Sequence, residues 1–470
     1  MMRAPLWTSE DATDATGGRP TGRFVATGVS IDSRTVEPGD LFVAIKGPNL
    51  DGHDFLAQAF ARGAAGAIVS HKASGLPDDA PHILVGDTLT ALNDLARAAR
   101  RRTRAAVVAI TGSVGKTGTK EFLALALAEQ GKTAASAGNL NNQWGAPLSL
   151  ARLPADARFG VFELGMNHAG EIAPLSRLVQ PDVAIITTIA AVHMAHFPST
   201  FAIAEAKGEI FEGMAGGTAV LNRDNAYFPF LACLACCRGV ERIIGFGAHP
   251  EAKARLEHAT FDAEGSTVGA VVAGEKLSYR LSIPGRQWAI NSLAVLGAVK
   301  ALGADVATAA ARLSSFEGFE GRGRRHRVDL EDGSFEVIDE SYNASPISMR
   351  AALEILATAR PGRGGRRIAV LGDMLELGPN SSSMHAALAE TIRRLAIDIV
   401  FTAGHDMAVL DRTLPRDVRG AHCETSDELA RIIVGAIRPG DVVAVKGSHG
   451  VRMDRVVDAL LRAGHGEARH

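Results

Sequence analysis

Cysteine and aromatic residues are scarce in this sequence. Only four cysteines occur in 470 residues, and aromatic side chains make up 5% of the chain. Few cysteines in a long chain are typical of a reducing compartment, where disulfides do not persist. The scarcity of aromatic residues, none of them interleaved with a basic run, argues against a surface that stacks the bases of single-stranded nucleic acid.

An excess of one charge and a long apolar run are also lacking. The formal net charge is −2, so no overall positive field attracts nucleic acid or an anionic membrane. We find no stretch of about 18 uninterrupted apolar residues, which a transmembrane helix requires, and residues 1–7 lack the apolar stretch of a secretory signal. We therefore expect a cytoplasmic protein with neither a membrane-inserted nor a nucleic-acid-bound form.

Three of the four cysteines lie together, at Cys233, Cys236 and Cys237. Their Cys-x-x-Cys spacing raises the possibility of a zinc or redox site. No second pair follows at the distance of a zinc site, and the run around them is apolar and helical in pattern. We interpret them as packed or idle thiols rather than as metal ligands.

The length and the alternation of strand-like and helical runs predict an α/β protein of about three domains. We place the domains at residues 1–104, 105–325 and 326–470. Strands that alternate with helices favour a mostly parallel sheet covered on both faces. The predicted strands are 40–45, 67–69, 105–110, 159–163, 183–187, 368–371, 398–401 and 441–445. The predicted helices are 92–104, 120–130, 348–359 and 383–395.

A glycine loop follows the strand at 105–110 and precedes a helix. The pattern Gly112-x-x-Gly115-Lys116-Thr117 is a shortened form of the general phosphate loop, because Ile110 stands where that motif has its first glycine. Glycines allow backbone N–H groups to surround an anion, and the helix N-terminus adds its dipole. Lys116 can reach the terminal phosphates, and the Thr117 hydroxyl can hold Mg²⁺. The predicted nucleotide-binding residues here are Gly112, Ser113, Val114, Gly115, Lys116, Thr117 and Gly118.

Two further polar side chains end predicted strands downstream, Glu163 and His193. Ligands of doubly wound sheets bind at the carboxyl ends of the strands, and a carboxylate beside a histidine suits a hard cation next to phosphates. The alternatives are a helix-capping or salt-bridging acid for Glu163 and a buried core histidine for His193.

Short motifs in a fixed order carry a family resemblance over nearly the whole chain. They are 6–8, 30–34, 39–44, 51–55, 111–117, 138–142, 163–167, 204–209, 339–344, 371–378 and 446–448. With these motifs the chain resembles the ATP-dependent Mur ligases of peptidoglycan synthesis, and among them the MurF type. The resemblance implies a central ATP-binding domain, an N-terminal UDP-sugar-binding domain and a Rossmann-like C-terminal domain.

The resemblance also implies a reaction. ATP phosphorylates the terminal carboxylate of UDP-N-acetylmuramoyl-tripeptide, the amine of D-alanyl-D-alanine attacks the acyl phosphate, and ADP and phosphate leave. Lys116, Glu163, His193 and Lys207 are the implied catalytic residues. Mg²⁺ would be held by Thr117, Glu163 and His193, and by Lys207 after its carbamylation with CO₂. Without the family, Lys207 reads as a surface lysine on a helix.

Nucleotide and substrate contacts follow from the same resemblance. Asn291 matches an adenine contact, Arg322 an arginine that reaches the γ-phosphate, and Glu340 a ribose-binding acid. Because Arg324 also follows a glycine, the arginine assignment can slip by two residues. The implied substrate-binding residues are Ser33, Arg34, Asn139, Asn142 and Asn343.

The chain departs from the family pattern at Thr188, Gln287 and Glu340, where Asn, His and Asp are usual. Three other functions are open alternatives. The first is a sibling ADP-forming ligase, such as an amino-acid-adding Mur ligase or a folylpolyglutamate synthetase. The second is a nucleotide-binding regulator, and the third is a peptidoglycan-associated binding protein. The Asp-Asn-Pro-Arg motif of the amino-acid-adding sibling does not occur. Without a heptad seam, we expect a monomer.

Overall fold

The strands of the chain form three large sheets and one small one. The computed structural model describes residues 4–72, 75–192 and 194–464. Strands and helices alternate through each of the three regions, and parallel pairs dominate the three large sheets. The prediction of an α/β protein with mostly parallel sheets is confirmed.

The N-terminal region has a five-stranded sheet and a separate two-stranded pair. Its elements are β1 (Trp7–Thr8), α1 (Ser9–Thr16), β2 (Arg19–Pro20), β3 (Val25–Ala26), β4 (Gly28–Ser30), β5 (Asp40–Val43), α2 (Leu56–Ala61), β6 (Gly66–Val69), β7 (His82–Leu84) and α3 (Thr88–Arg102). The sheet order is β2-β7-β6-β5-β4, with β4 to β7 parallel and β2 antiparallel to β7. Strands β1 and β3 pair with each other in antiparallel fashion.

Helix α3 begins earlier than the pattern predicted, at Thr88. Asp87 caps it, since its side chain accepts a hydrogen bond from the backbone N–H of Thr90 at 2.7 Å. Three arginines, Arg100 to Arg102, occupy the last turn, where positive charge complements the helix dipole. One of them, Arg102, lies 3.9 Å from the centre of the Trp7 ring, and so the helix fixes the start of the chain.

The N-terminal region packs onto the following region through a few specific polar contacts. The indole N–H of Trp7 donates to the backbone oxygen of Ala151 at 2.9 Å, and the Arg152 guanidinium donates to that of Val29 at 2.6 Å. Both contacts join strands of the first region to the C-terminal end of one helix of the second, at its last residue Ala151 and at Arg152, which caps it. They fix the two regions against each other.

The central region is built on a nine-stranded sheet. Its elements are β8 (Ala106–Thr111), α4 (Lys116–Ala128), β9 (Thr133–Ala135), α5 (Gly145–Ala151), β10 (Phe159–Glu163), α6 (Ile172–Val179), β11 (Val183–Ile186), α7 (Thr200–Gly208), β12 (Thr218–Asn222), α8 (Phe228–Cys237), β13 (Arg242–Gly247), β14 (Ala254–Asp262), β15 (Gly265–Val272), β16 (Glu275–Leu281), α9 (Arg286–Ala301) and α10 (Val306–Arg312). The strand order is β16-β15-β14-β13-β12-β11-β8-β10-β9.

Strand β8 occupies an inner position of this sheet, between β11 and β10. Val107 to Ile110 are fully buried, which accounts for their continuous apolar run, since a parallel strand covered on both faces has no polar side. From β9 to β14 the strands are parallel, whereas β14, β15 and β16 form an antiparallel extension. The sequence pattern did not predict that extension.

The C-terminal region holds a six-stranded sheet. Its elements are β17 (Arg324–Leu330), β18 (Gly333–Glu340), α11 (Pro346–Thr358), β19 (Arg367–Gly372), α12 (Ser381–Ala386), α13 (Leu388–Arg394), β20 (Ile399–Ala403), α14 (Met407–Thr413), β21 (Arg419–Cys423), α15 (Ser426–Ala436), β22 (Val442–Lys446) and α16 (Asp454–Ala463). The order is β17-β18-β22-β19-β20-β21, and only the β17–β18 pair is antiparallel.

One prediction about this region needs correction. The single helix predicted at 383–395 is two helices, α12 and α13, which meet at Ala387. The fully buried His385 ring accepts a hydrogen bond from the Met374 backbone N–H at 3.0 Å, which anchors the end of α12 to the segment after β19. Strand β17, which contains the basic residues around 325, forms an edge of the six-stranded sheet.

The cysteine cluster lies on helix α8, as its apolar pattern predicted. Cys233, Cys236 and Cys237 are exposed rather than packed, Cys423 is buried, and all four are free. None of the helices in the described part of the chain combines the length and the hydropathy that crossing a bilayer requires.

Candidate active site

The glycine loop after β8 adopts a backbone that only glycine tolerates at two positions. Gly112 has φ +148° and Gly115 has φ +87°, both in the region that other residues rarely adopt. A Cβ added to Gly112 would lie 1.9 Å from the Thr187 hydroxyl oxygen, and one at Gly115 would lie 2.7 Å from the side-chain nitrogen of Asn291. The glycines are therefore required by both backbone and space.

The loop is fixed to the end of the neighbouring strand β11. The Ser113 backbone N–H donates to the Thr188 backbone oxygen at 2.8 Å, and the Ser113 hydroxyl accepts from the Ala190 N–H at 2.9 Å. The Thr187 hydroxyl donates to the Val114 backbone oxygen at 2.6 Å. Helix α4 then begins at Lys116, so its N-terminus ends a rigid loop that suits an anion.

A cavity of about 810 Å³ opens over the loop, between the central and C-terminal sheets. Residues from both regions line it, at the carboxyl ends of β8, β10 and β18. Twelve residues predicted from the sequence are among them. They are Ser113, Val114, Gly115, Lys116, Thr117, Gly118, Asn139, Glu163, Asn291, Arg322, Glu340 and Asn343.

Lys116 is held at the floor of this cavity. Its ammonium group donates to the Gly112 backbone oxygen at 2.8 Å. Burial lowers the pKa of Lys116, which the nearby Glu163 carboxylate partly opposes and Arg322 reinforces. Lys116 and Arg322 thus place two cationic groups near each other. Their charges repel each other, and a bound anion would neutralise them.

Glu163 and Thr117 each carry one buried oxygen atom that lacks a partner in the part of the chain that the structure describes. The Asn141 side-chain amide donates to Glu163 Oε1 at 2.6 Å. The other carboxylate oxygen, Oε2, and the Thr117 hydroxyl oxygen are buried and have no hydrogen-bond partner among the described residues. Orphaned buried oxygens are costly, and oxygen ligands are those that Mg²⁺ prefers. This pair fits a magnesium ion.

Lys207 is buried, not on the surface as its helical pattern alone suggested. It lies near the end of α7 with 1% of its side chain exposed. Burial and the neighbouring Lys116 hold the pKa of Lys207 well below its usual value, with Glu163 opposing them. Lys116, Glu163 and Lys207 therefore form one electrostatically coupled group.

The predicted metal ligand His193 lies outside the described residues. Within the part of the chain that the structure describes, three or more His, Cys, Asp or Glu side chains do not gather in a metal-binding cluster. The predicted metal set consists of Thr117, Glu163, His193 and a carbamylated Lys207. Only Glu163 and His193 belong to those four residue types, so the set does not form such a cluster.

Arg322 is the arginine that reaches the cavity. Its guanidinium lies 4.3 Å from the centre of the Tyr342 ring. Arg324 is exposed and pairs with Glu320 at 3.5 Å. The turn that carries Arg322 is fixed by Asp339, which accepts from the Gly321 N–H at 2.6 Å. Of the two arginines left open by the sequence, only Arg322 faces the phosphate loop.

Glu340 ends β18 and lies beside a buried lysine. The Lys446 ammonium is 3.5 Å from the Glu340 carboxylate and donates to the Asn343 backbone oxygen at 2.8 Å. Burial raises the pKa of Glu340, while Lys446 and Arg322 lower it. The carboxylate thus has a fixed place on the cavity wall, where a sugar hydroxyl can donate to it.

All three departures from the family pattern, Thr188, Gln287 and Glu340, line the cavity. The family usually has an asparagine at the position of Thr188. In this chain the Asn225 side chain, from another segment, donates to the Thr188 hydroxyl at 3.1 Å and so places an amide beside that position. Lys116 and Arg322, the two cations at the phosphate end, are both present in the same cavity.

Three predicted substrate contacts lie away from this cavity. Ser33 donates its hydroxyl to Gln58 at 2.8 Å, and the exposed Arg34 pairs with Asp32 at 2.6 Å. Asn142 accepts from the backbone N–H groups of Trp144 and Gly145 at the start of α5. None of the three lines the cavity as formed by the described residues.

Two residues at the cavity were missed by reasoning from the sequence. Asn141, rather than Asn142, contacts Glu163, and Tyr342 lies between Arg322 and His449, with its ring 5.4 Å from the histidine ring. The run Asn139-Leu140-Asn141-Asn142 gave a signal for amides. Which of these amides faces the cavity depends on the conformation of the turn, and the residue pattern of the sequence does not predict that conformation.

A glycine phosphate loop at the end of an inner parallel strand, faced by an arginine from the turn before a second sheet, defines a nucleotide-dependent α/β enzyme. Three family models match the chain. They describe a Mur ligase family catalytic domain over residues 25–100, a Mur ligase middle domain over 110–299 and a Mur ligase glutamate ligase domain over 323–449.

Similar proteins match over nearly the whole length. The UDP-N-acetylmuramoyl-tripeptide–D-alanyl-D-alanine ligase of Escherichia coli K12 is 34% identical, with 97% of this chain and 99% of the relative covered. A crystal structure of MurF from Acinetobacter baumannii has a TM-score of 0.83 at 28% identity, covering 98% of this chain and all of the other. MurF ligase from Thermotoga maritima in complex with ADP has a TM-score of 0.75 at 27% identity, covering 94% and 98% of the two chains. The chain belongs to the Mur ligase family.

Proposed function

We propose that this chain joins D-alanyl-D-alanine to UDP-N-acetylmuramoyl-tripeptide, with ATP converted to ADP and phosphate. Relatives that carry this name match 92–97% of the chain at 31–34% identity. The observation that carries the proposal is the meeting in one cavity of Lys116 and Glu163 from the central sheet, Arg322 from the turn before β17, and Glu340 from the C-terminal sheet. Such a site can transfer a phosphoryl group between substrates held by separate domains.

A free carboxylate is a poor electrophile, because its negative charge repels an attacking amine. Phosphorylation by ATP removes that charge and supplies a leaving group. Backbone N–H groups of the loop, Lys116 and Arg322 neutralise the charge that moves onto the phosphate oxygens. The incoming amine then attacks the carbonyl carbon, an amide bond forms, and the bond from carbon to the phosphate oxygen breaks.

Mg²⁺ is part of the proposal, with Thr117 and Glu163 as its ligands and His193 as the family's further ligand. The ion would supply charge neutralisation on the phosphates and orientation of the terminal phosphoryl group. The buried, unpartnered oxygens of Thr117 and Glu163 support this assignment.

We further propose that Lys207 is carbamylated. A neutral amine that adds CO₂ and releases a proton becomes a carbamate anion, which would attract Lys116 instead of repelling it and would offer oxygen atoms to a metal ion. The burial of Lys207 beside Lys116 supports the change, because two neighbouring buried ammonium groups destabilise each other.

Carbamylation predicts chemical rescue. Lys207→Ala should lose activity and regain part of it with a small carboxylic acid at high concentration, since the acid supplies the missing carboxylate. Steady-state turnover with and without acetate or formate tests this. A folded Lys207→Ala protein that no acid rescues would contradict the carbamate.

The remaining assignments stay proposals. We place adenine near Asn291 and ribose near Glu340, both at the cavity. The UDP-sugar is placed on the N-terminal region near Ser33 and Arg34, with Asn139, Asn142 and Asn343 toward the peptide. The domain limits 1–104, 105–325 and 326–470 follow the sequence prediction.

A coupled assay of ADP release tests the function. Turnover should require UDP-N-acetylmuramoyl-tripeptide and D-alanyl-D-alanine together, across a panel of UDP-muramoyl peptides and amine acceptors. Single amino acids as better acceptors would indicate an amino-acid-adding sibling. Equal turnover without any acceptor would contradict a ligase.

A further inference from the structure

A second lysine of α4, Lys120, is completely buried outside the cavity lining. Its ammonium group donates to the backbone oxygens of Ser136 at 2.5 Å and Gly138 at 2.7 Å. It also lies 2.9 Å from the Glu121 carboxylate. Burying a charged group costs desolvation free energy. The Lys120 ammonium offsets part of that cost through its hydrogen bonds to two carbonyl oxygens of a single loop.

That loop, residues 136–142, is here named the asparagine segment. It runs from the end of β9 toward α5 and contacts Glu163 twice. The Ser136 hydroxyl accepts from the Glu163 backbone N–H at 3.3 Å, and the Asn141 amide donates to Glu163 Oε1 at 2.6 Å. The Asn141 backbone oxygen also accepts from the Gly165 N–H at 2.8 Å.

Helix α4 therefore serves the site from two successive turns. Residues four apart lie on the same face of a helix, so Lys116 reaches the cavity and Lys120 reaches the asparagine segment behind it. One rigid element fixes both the phosphate-facing cation and the amide that orients the carboxylate of Glu163.

With one oxygen of Glu163 held by Asn141, the other is left without a partner among the described residues. Loss of the Lys120 ammonium would remove the donor from two carbonyls of the asparagine segment. The segment would then shift or admit water, and the Asn141 amide would no longer hold the carboxylate in one orientation.

We propose that Lys120 is a positioning residue, which holds the asparagine segment so that Glu163 presents its free carboxylate oxygen to a divalent cation. This rests on the proposed use of Mg²⁺ with the nucleotide. Groups that orient metal ligands typically change metal affinity by about 10–100-fold when removed.

Calorimetric titration of the full-length protein with ADP, in the presence and absence of Mg²⁺, tests the proposal. Lys120→Met should weaken Mg²⁺-dependent ADP binding by about 10–100-fold, while ADP binding without Mg²⁺ stays close to that of the unchanged protein. The Mg²⁺ concentration for half-maximal turnover should rise in parallel. Lys132→Met is the matched control, because Lys132 is exposed and paired with Asp156 at 2.6 Å; it should change neither quantity.

Equal loss of ADP binding with and without Mg²⁺, or no loss at all, would overturn the proposal. If Lys120→Met does not fold, Asn141→Ala takes its place, and it should reproduce the Mg²⁺-specific loss; normal Mg²⁺-dependent binding by that variant would also overturn it. Because ADP and Mg²⁺ binding needs no peptide substrate, a failure to ligate D-alanyl-D-alanine would be recognised separately.

Discussion

Lys116, Glu163 and Lys207 show how single residues acquire their properties from one another. Burial lowers the pKa of both Lys116 and Lys207. The Glu163 carboxylate opposes this shift at both lysines, and the charge of Lys116 further lowers the pKa of Lys207. A nucleotide phosphate would compensate the positive charge of Lys116, and the proposed carbamylation would remove that of Lys207. The chemistry therefore resides in the group and not in any one member.

Lys116→Ala should lose turnover by about 100-fold or more, because the residue contributes charge stabilisation to the transferred phosphoryl group. Steady-state ADP release measures the loss, and circular dichroism with the thermal midpoint checks the fold. A folded variant with nearly full activity would mean that the loop does not hold the nucleotide.

Gly112→Ala should weaken nucleotide binding. The added Cβ would meet the Thr187 hydroxyl at 1.9 Å on a backbone with φ +148°, and such strain costs about 1–3 kcal/mol. We expect the dissociation constant for ADP to rise by roughly tenfold or more. Gly86→Ala is the control, since its Cβ would meet nothing within 4 Å; similar affinities for the two variants would refute the argument.

At this scale the sequence predicts what is local. The phosphate loop could be found because its glycines, lysine and helix are contiguous, and Gly112 and Gly115 do have the conformations that the motif demands. The choice of Asn141 over Asn142 depends on a turn, and the burial of Lys207 depends on how α7 packs. Neither is encoded in a pattern of neighbours.

Among the elements, α3 illustrates how ends are set by polar side chains. The sequence predicted a helix here but placed its start too late. The first four backbone N–H groups of a helix have no partner within the helix, and the Asp87 side chain accepts from one of them and so sets the start. The hydrogen bond from the Thr90 N–H lowers the pKa of Asp87.

Asp87→Ala should lower the free energy of unfolding by about 0.5–2 kcal/mol at neutral pH. A carboxylate with a lowered pKa stabilises the fold above its unfolded pKa and loses that contribution as the pH falls through the folded value. The difference between the two proteins should therefore shrink in acid, below the usual pKa of an aspartate. Urea unfolding at neutral and acidic pH measures it.

Asp94→Ala offers a control within the same helix, because Asp94 does not cap it and forms a surface pair with Arg97 at 2.7 Å. Such pairs contribute little. An equal effect of the two substitutions, or a difference independent of pH, would exclude capping as the cause.

Parallel strands were predicted correctly where they are buried on both faces, as in β8, β10 and β11. The antiparallel extension β14 to β16 was missed, since its strands mix buried and exposed residues and follow a region where helices and strands had alternated. The break between α12 and α13 could not be foreseen either, because it coincides with a tertiary contact of His385 and with no glycine or proline.

For the whole molecule, the cavity lies between two sheets that are joined by the segment before β17. The phosphate loop belongs to the central sheet, Arg322 lies in the joining segment itself, and Glu340 ends a strand of the C-terminal sheet. A reactive acyl phosphate must be kept from water, and closure of domains around substrates achieves this. The sequence also predicts that the chain is a monomer, and this stays a prediction.

Closure predicts a smaller radius of gyration when ADP, Mg²⁺ and both peptide substrates are bound together than with any one of them. Small-angle scattering measures this change. An unchanged scattering profile under saturating ligands would contradict closure while leaving the assignment of the site untouched.

The central claim is that ATP activates a carboxylate by phosphorylation in the cavity over the phosphate loop. An isotope experiment tests it most directly: UDP-N-acetylmuramoyl-tripeptide with ¹⁸O in its terminal carboxylate is turned over with ATP and D-alanyl-D-alanine, and the products are analysed by mass spectrometry. The account predicts ADP as the nucleotide product and one ¹⁸O atom transferred to inorganic phosphate. Label in AMP, or phosphate without label, would contradict it.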